Sequence, residues 1–169
     1  MKQASLSPTC RRRLHVQGYL NYSDQELHDF KFGIRFAYAL CTILFATGLF
    51  LANPKILMVA AGVAFLAAFP PYHPFDYIYN YAVRHLMGKP KLPPRSNQGR
   101  FACGIASVWL TAIVLLINSG YFLSANILGG VLVVVALLVT TVDICIPSMI
   151  YNFLFRKKLP SGSSPQTKQ

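Results

Sequence analysis

At 169 residues, with a formal net charge of +11, 54% hydrophobic and only 12% charged residues, the chain carries about half the charge of an ordinary soluble domain. No Asp, Glu, Lys or Arg occurs between Phe101 and Val142, a run too long to hide in so small a soluble core. Its Lys and Arg residues sit at the ends of apolar runs instead of alternating with aromatics on one surface, which argues against a nucleic-acid partner; the four cysteines lack C-x-x-C spacing, which argues against a disulfide scaffold.

Residues 1–22 are polar and basic without periodicity and are expected to form a cytoplasmic arm, on the surface or disordered. Arg11-Arg12-Arg13 resembles the start of a signal peptide, but Asp24, Glu26 and Asp29 separate it from the first apolar run, which should therefore stay as an anchor. A membrane domain is expected over 23–158. Ser23-Asp24-Gln25-Glu26 has the pattern of a capping box, so a helix should begin there. Positions 36–54 carry no charge and cover about 28 Å as helix, close to the hydrocarbon thickness. After the Asn53-Pro54-Lys55 turn, a second and shorter apolar span runs over 56–69 until Pro70-Pro71-Tyr72-His73-Pro74 ends regular helix. Over 75–87, Phe75, Ile78, Tyr79, Ala82 and Leu86 recur at helical spacing, with Asp76, Asn80 and Arg84 elsewhere on the wheel. That pattern predicts an amphipathic helix lying in the interface. A basic, proline-rich connector follows, then spans over 101–117 and 126–146 and a polar tail over 159–169. Trp109 and several tyrosines fit interfacial belts and helix packing.

Fifteen of sixteen Lys and Arg residues fall on one side if there are four spans, with Lys55 alone on the other. Positive residues are retained in the cytoplasm, so both ends are expected there, in a cell inner (plasma) membrane, with Arg35, Arg100, Arg156, Lys157 and Lys158 as topology anchors.

The halves also resemble each other. Arg35-Phe36-Ala37 and Arg100-Phe101-Ala102 each open a span, and Asn53 and Asn118 each follow eighteen residues after the arginine. Ile78-Tyr79-Asn80-Tyr81 follows Pro74 as Ile150-Tyr151-Asn152-Phe153 follows Pro147. The expected fold is therefore all-α: an integral membrane four-helix bundle of two tandem hairpins, each followed by a short interfacial amphipathic helix, related by a pseudo-two-fold axis along the membrane normal. This repeat places Tyr72 or His73 opposite Cys145.

From Pro74 to Tyr151 the chain resembles the uncharacterised bacterial integral membrane family named domain of unknown function four-three-nine-five. The shared features are the Pro-rich interfacial segment Pro74 to Leu86, the basic Pro-rich connector, Arg100-Phe101-Ala102 with Gly104, and the ending Ile144-Cys145-Ile146-Pro147-Ser148-Met149-Ile150-Tyr151. The family commonly ends in Phe-Cys-x-x-Cys closely followed by Tyr, so Cys145 matches its first cysteine while Ser148 stands at the second. A dithiol can cycle to a disulfide and a single thiol cannot. The resemblance implies a fold and a membrane location and brings no activity with it.

Four residues are candidates for function. Asp143 is an acid at the end of an uncharged span, where ionisable groups are functional by default; the alternative is a structural pair with Arg100 or Arg156. Cys145 is a candidate thiol, although beside Asp143 at a helix C-terminus it would meet negative charge that dulls a nucleophile. His73 and Asp76, with His85 and Cys145, could meet if the proline breaks converge, yet no pair has metal-ligand spacing on one helix. No metal and no cofactor is expected. The leading expectation is a non-enzymatic structural or accessory protein acting through the bilayer, a membrane partner or a second copy of itself. The alternatives are a thiol- or sulfur-linked redox protein using Cys145 with Cys103 or His73, and a small transporter with its site near Asp143.

Overall fold

The computed structural model describes residues 6–155; Arg156, Lys157, Lys158 and the tail over 159–169 lie outside the described residues. Regular structure among the described residues is entirely helical: α1 (Pro8–Val16), α2 (Asp24–Phe50), α3 (Pro54–Ala68), α4 (Pro74–Ile78), a π-helical turn (Tyr79–Val83), α5 (Arg84–Met87), α6 (Asn97–Asn118), α7 (Phe122–Val142) and α8 (Ile146–Leu154). Three of them, α2, α6 and α7, are long and apolar enough to cross a membrane, and α3 is apolar but only fifteen residues long.

Local chemistry sets the boundaries. The Ser23 capping box forms as its sequence demands: the Glu26 amide donates to Ser23 Oγ at 3.4 Å and Glu26 Oε2 accepts from the Ser23 amide at 2.8 Å. Asn53 Oδ1 accepts from the amides of Lys55 and Ile56, which starts α3 directly after the turn that ends α2. The second boundary of α7 differs from the sequence reading. The helix covers 122–142 instead of 126–146, because Asp143 adopts a left-handed conformation (φ 61°) and Pro147 needs non-helical chain before it.

Helix α3 packs on α6 and α2, and α7 packs on α2 and α6. One apolar core forms between them from Phe45, Leu57, Ala60, Ala61, Leu110, Ile113, Val114 and Leu132. Gly129 lets α2 and α7 approach, since a Cβ there would come within 2.5 Å of Leu49. Outward-facing Ile43, Phe50, Val108 and Leu123 are strongly exposed, an arrangement that hydrocarbon tolerates and water does not.

Two segments depart from the sequence reading. Within the expected arm over 1–22, residues 8–16 form a helix capped by Ser7. Leu14 and Tyr19 are buried in a second core with Leu27, Ile34, Tyr79 and Leu92. The amphipathic helix expected over 75–87 is interrupted by the π-helical turn over Tyr79–Val83. Asp76, Tyr79 and Asn80 point inward, whereas Ile78, Ala82 and Leu86 are exposed. Asp76 is satisfied by Arg95 and Asn80 Oδ1 by the Leu92 amide at 2.9 Å, whereas the buried Tyr79 hydroxyl has no hydrogen-bond partner among the described residues.

Candidate functional site

Helix α4 begins at His73, whose backbone N–H donates to Asp76 Oδ2 at 2.9 Å while its ring Nδ1 accepts from the Phe75 amide at 3.1 Å. Because Nδ1 accepts, the proton of the neutral ring belongs on Nε2, which lies 3.4 Å from Cys41 Sγ. Burial, reinforced by the Arg95 guanidinium, pushes the His73 imidazole down to about 4, so the ring is neutral at physiological pH. Beneath it Asp76 holds Arg95 through two hydrogen bonds, Arg95 Nε to Oδ2 at 2.7 Å and Nη2 to Oδ1. Both side chains are buried, and the guanidinium also lies 4.8 Å from the Tyr38 ring centre.

Above His73 is an apolar cavity of about 120 Å³ between the helices. Its walls include Cys41 of α2, Cys103 of α6, Cys145 from the α7–α8 connection, His73 and Trp109. Three of the chain's four cysteines thus face one space, and all are free thiols. Cys145 is the N-cap residue of α8, so the positive end of that helix lies beside its sulfur. This corrects the expectation of a helix C-terminus, because α7 has ended three residues earlier. Ser148, at the position of the second family cysteine, donates its Oγ–H to Cys145 Sγ at 3.0 Å. Burial pushes the Cys145 thiol up, and the Ser148 hydrogen bond draws it part of the way back.

Asp143 belongs to a different cluster. Arg35 Nε and Nη2 each donate to a carboxylate oxygen at 2.6 Å, and Lys31 Nζ adds a contact to Oδ2 at 3.3 Å. Among the described residues the partner is therefore Arg35 and not Arg100, which instead donates to the carbonyls of Ala68 and Phe69 at the end of α3; Arg156 lies outside the described residues. Helix α1 and its C-cap residue lock the same turn: Arg13 Nη1 reaches the Val142 carbonyl at 2.7 Å and Gln17 Nε2 the Asp143 carbonyl at 2.9 Å. Asn152 Nδ2 holds the Val16 carbonyl at 2.8 Å. With both oxygens of Asp143 occupied by cations, a transported ion would first have to displace them.

Of the four candidates, then, His73 and Cys145 share a cavity, Asp76 supports His73 from below, and Asp143 stands apart in a salt-bridge cluster. Among the described residues no group of three or more His, Cys, Asp or Glu is arranged to hold a metal ion. Sequence reasoning missed Cys41, Arg95, Tyr38 and Gln17. Arg95 had a signal, as Asp76 is the nearest acid to a connector full of cations; Cys41, almost five turns into α2, had none. Trp109 lies in the middle of α6 against the cavity and not at an interface.

The chain matches the family described as Domain of unknown function (DUF4395) over residues 31–156. It belongs to that family. The DUF4395 region contains Cys41, His73, Asp76, Arg95, Cys103, Asp143 and Cys145, and it leaves out α1 with Cys10, Arg13 and Gln17. No curated protein and no solved structure matches the chain.

Proposed function

We propose that the chain is a thiol-active integral membrane protein of the inner membrane, crossing it four times with both ends in the cytoplasm. Its working site is the Cys41, Cys103 and Cys145 cavity. The observation that carries this reading is the convergence of three thiols from three parts of the chain on one apolar space beside a neutral imidazole. A pair of thiols gives up two electrons and two protons on forming a disulfide. Ser148 removes that option within α8, and Cys103 or Cys41 supplies it from a neighbouring helix.

The four-span, two-hairpin arrangement has its own support. Arg35 grips the end of α7 and Arg100 the end of α3, so the starts of α2 and α6 share one end of the bundle with the finish of both hairpins. His73 and Cys145 are each the N-cap of the short helix that follows a hairpin, and α4 packs on α2 as α8 packs on α6. These equivalences are what a tandem repeat produces. The cations at that end, with Lys55 alone at the other, support a cytoplasmic location for both ends.

The test is oxidation of the purified protein with diamide, followed by alkylation and peptide mass mapping. A disulfide containing Cys145 is expected, and Cys145→Ser should lose it; three alkylated thiols after oxidation would overturn the reading. A second reading, a non-catalytic subunit acting through a membrane partner or a second copy, draws on the outer face of α7. There Val131, Val134 and Leu137 are exposed and a Cβ at Gly130 would meet nothing. Gentle detergent extraction should then yield a stoichiometric companion or a dimer, and a companion-free monomer would count against it.

A further inference from the structure

A second, larger space lies beside the thiol cavity. It is an open groove of about 940 Å³ along one side of α6, with Phe65 and Phe69 of α3, Leu128 of α7, and Arg100, Gly104 and Val108 of α6 on its walls. Ile105 and Trp109 belong to the linings of both spaces, so these two side chains are the partition between them. The groove follows α6 from Asn97 to Ala112, which places it within a helix long and apolar enough to span a membrane and opens it to lipid if that helix does so. Trp109 Nε1–H is buried and has no hydrogen-bond partner among the described residues, which leaves a donor at the partition that is satisfied only when an acceptor arrives.

Three requirements on the occupant follow. Entry from the bilayer demands a lipid-soluble molecule. The inner cavity, about 120 Å³, is on the scale of one six-membered ring, since an engineered apolar cavity of roughly 150 Å³ holds benzene. The unpaired indole N–H calls for a carbonyl oxygen, and a pair of thiols calls for a two-electron acceptor.

We infer that the thiol cavity is entered sideways from the lipid by a quinone, its ring reaching the thiols past Ile105 and Trp109 and its apolar tail lying in the α3–α6 groove. The inference rests on the thiol reading above and names the substrate class for it. Cys103 and Cys145 each give up one proton and one electron and form an S–S bond, while the quinone gains two protons and two electrons and leaves as the hydroquinone. Trp109 binds a ring carbonyl and is a positioning residue. Arg100 is held at the groove's mouth by the Ala68 and Phe69 carbonyls and marks the interfacial end.

The test uses the full, reduced protein in phospholipid vesicles with a decyl-substituted benzoquinone, following quinone absorbance and the number of alkylatable thiols. One hydroquinone should form per protein with loss of two thiols, and Cys145→Ser and Cys103→Ser should each abolish it. Trp109→Phe keeps the shape and loses the donor; it should raise the quinone concentration that gives half the limiting single-turnover rate about tenfold with little change in that limiting rate, as one hydrogen bond of about 1.4 kcal/mol predicts. Gly104→Leu projects a side chain from the groove wall, where an added Cβ meets only the Ala68 Cβ, at 3.8 Å; it should slow the reaction at least tenfold while leaving the diamide disulfide unchanged. A sulfonated, water-soluble benzoquinone should react at less than a tenth of the rate. Equal rates for the two quinones, or no effect of Trp109→Phe and Gly104→Leu, would overturn lateral entry while leaving the diamide disulfide and the thiol reading intact. Failure of both quinones and of diamide would remove the thiol reading itself.

Discussion

Asp76→Asn keeps the side chain's size and removes its charge. In the native protein the carboxylate is fully buried, the Arg95 side chain is 4% exposed, and three donors converge on Asp76: Arg95 Nε, Arg95 Nη2 and the His73 amide. Removing one member of a buried pair costs about 3–5 kcal/mol, because the surviving charge keeps its desolvation penalty and loses its compensation. Arg95 has no spare partner, as its Nη1 makes no hydrogen bond among the described residues, but the Tyr38 ring retains a cation–π contact of about 1–2 kcal/mol. The expected loss is therefore near the lower end of the range, about 3 kcal/mol. Equilibrium unfolding in detergent, followed by the reaction of Cys41, Cys103 and Cys145 with a thiol-reactive dye, measures it directly, since those thiols become accessible as the bundle opens. The double variant Asp76→Leu with Arg95→Met removes both charges and should recover at least half of the loss. A change below about 1 kcal/mol for Asp76→Asn, or a double variant as unstable as the single one, would refute the argument that charge burial governs this site.

His73 gives a pH signature. Its folded value of about 4 lies below the ordinary 6.5, so the unfolded chain takes up the proton first as pH falls. The stability it contributes is complete above about pH 6.5 and is lost on the way down to about pH 4. The loss attributable to this ring is about 2 kcal/mol at pH 5, and His73→Asn, which retains an N-cap acceptor, should flatten the profile of denaturation midpoint against pH over that window. A second perturbation concerns the α1 clamp. Asp143→Asn tolerates the left-handed backbone but loses the Arg35 and Lys31 pairing. Trypsin cleavage at Arg11 to Arg13 should accelerate more than tenfold; an unchanged rate would mean that the backbone contacts of Arg13 and Gln17 hold α1 unaided.

Much of the architecture was legible because helix caps and apolar runs are local. Ser23 with Glu26, Asn53 before Pro54, and the charge-free stretch after Phe101 each act through neighbours a few residues away, and each marks an element where the structure has one. The end of α7 was misplaced because it is decided at a distance, where Arg35 and Lys31 of α2 and Gln17 of the N-terminal segment hold Asp143 in its turn. The burial of Asp76 has the same origin, since the buried Arg95 that pairs with it lies nineteen positions further along the chain.

The sequence by itself determined that the chain is helical, that its long runs are suited to lipid, and where its cations sit, since backbone satisfaction and charge burial act on composition and spacing. Only the tertiary structure decided that Cys41, Cys103, Cys145 and His73 meet and that Asp143 does not join them. Their convergence depends on how the hairpins are rotated against each other. That rotation comes from contacts such as Gly129 on Leu49 and from salt bridges between residues far apart in the chain, which no local periodicity encodes.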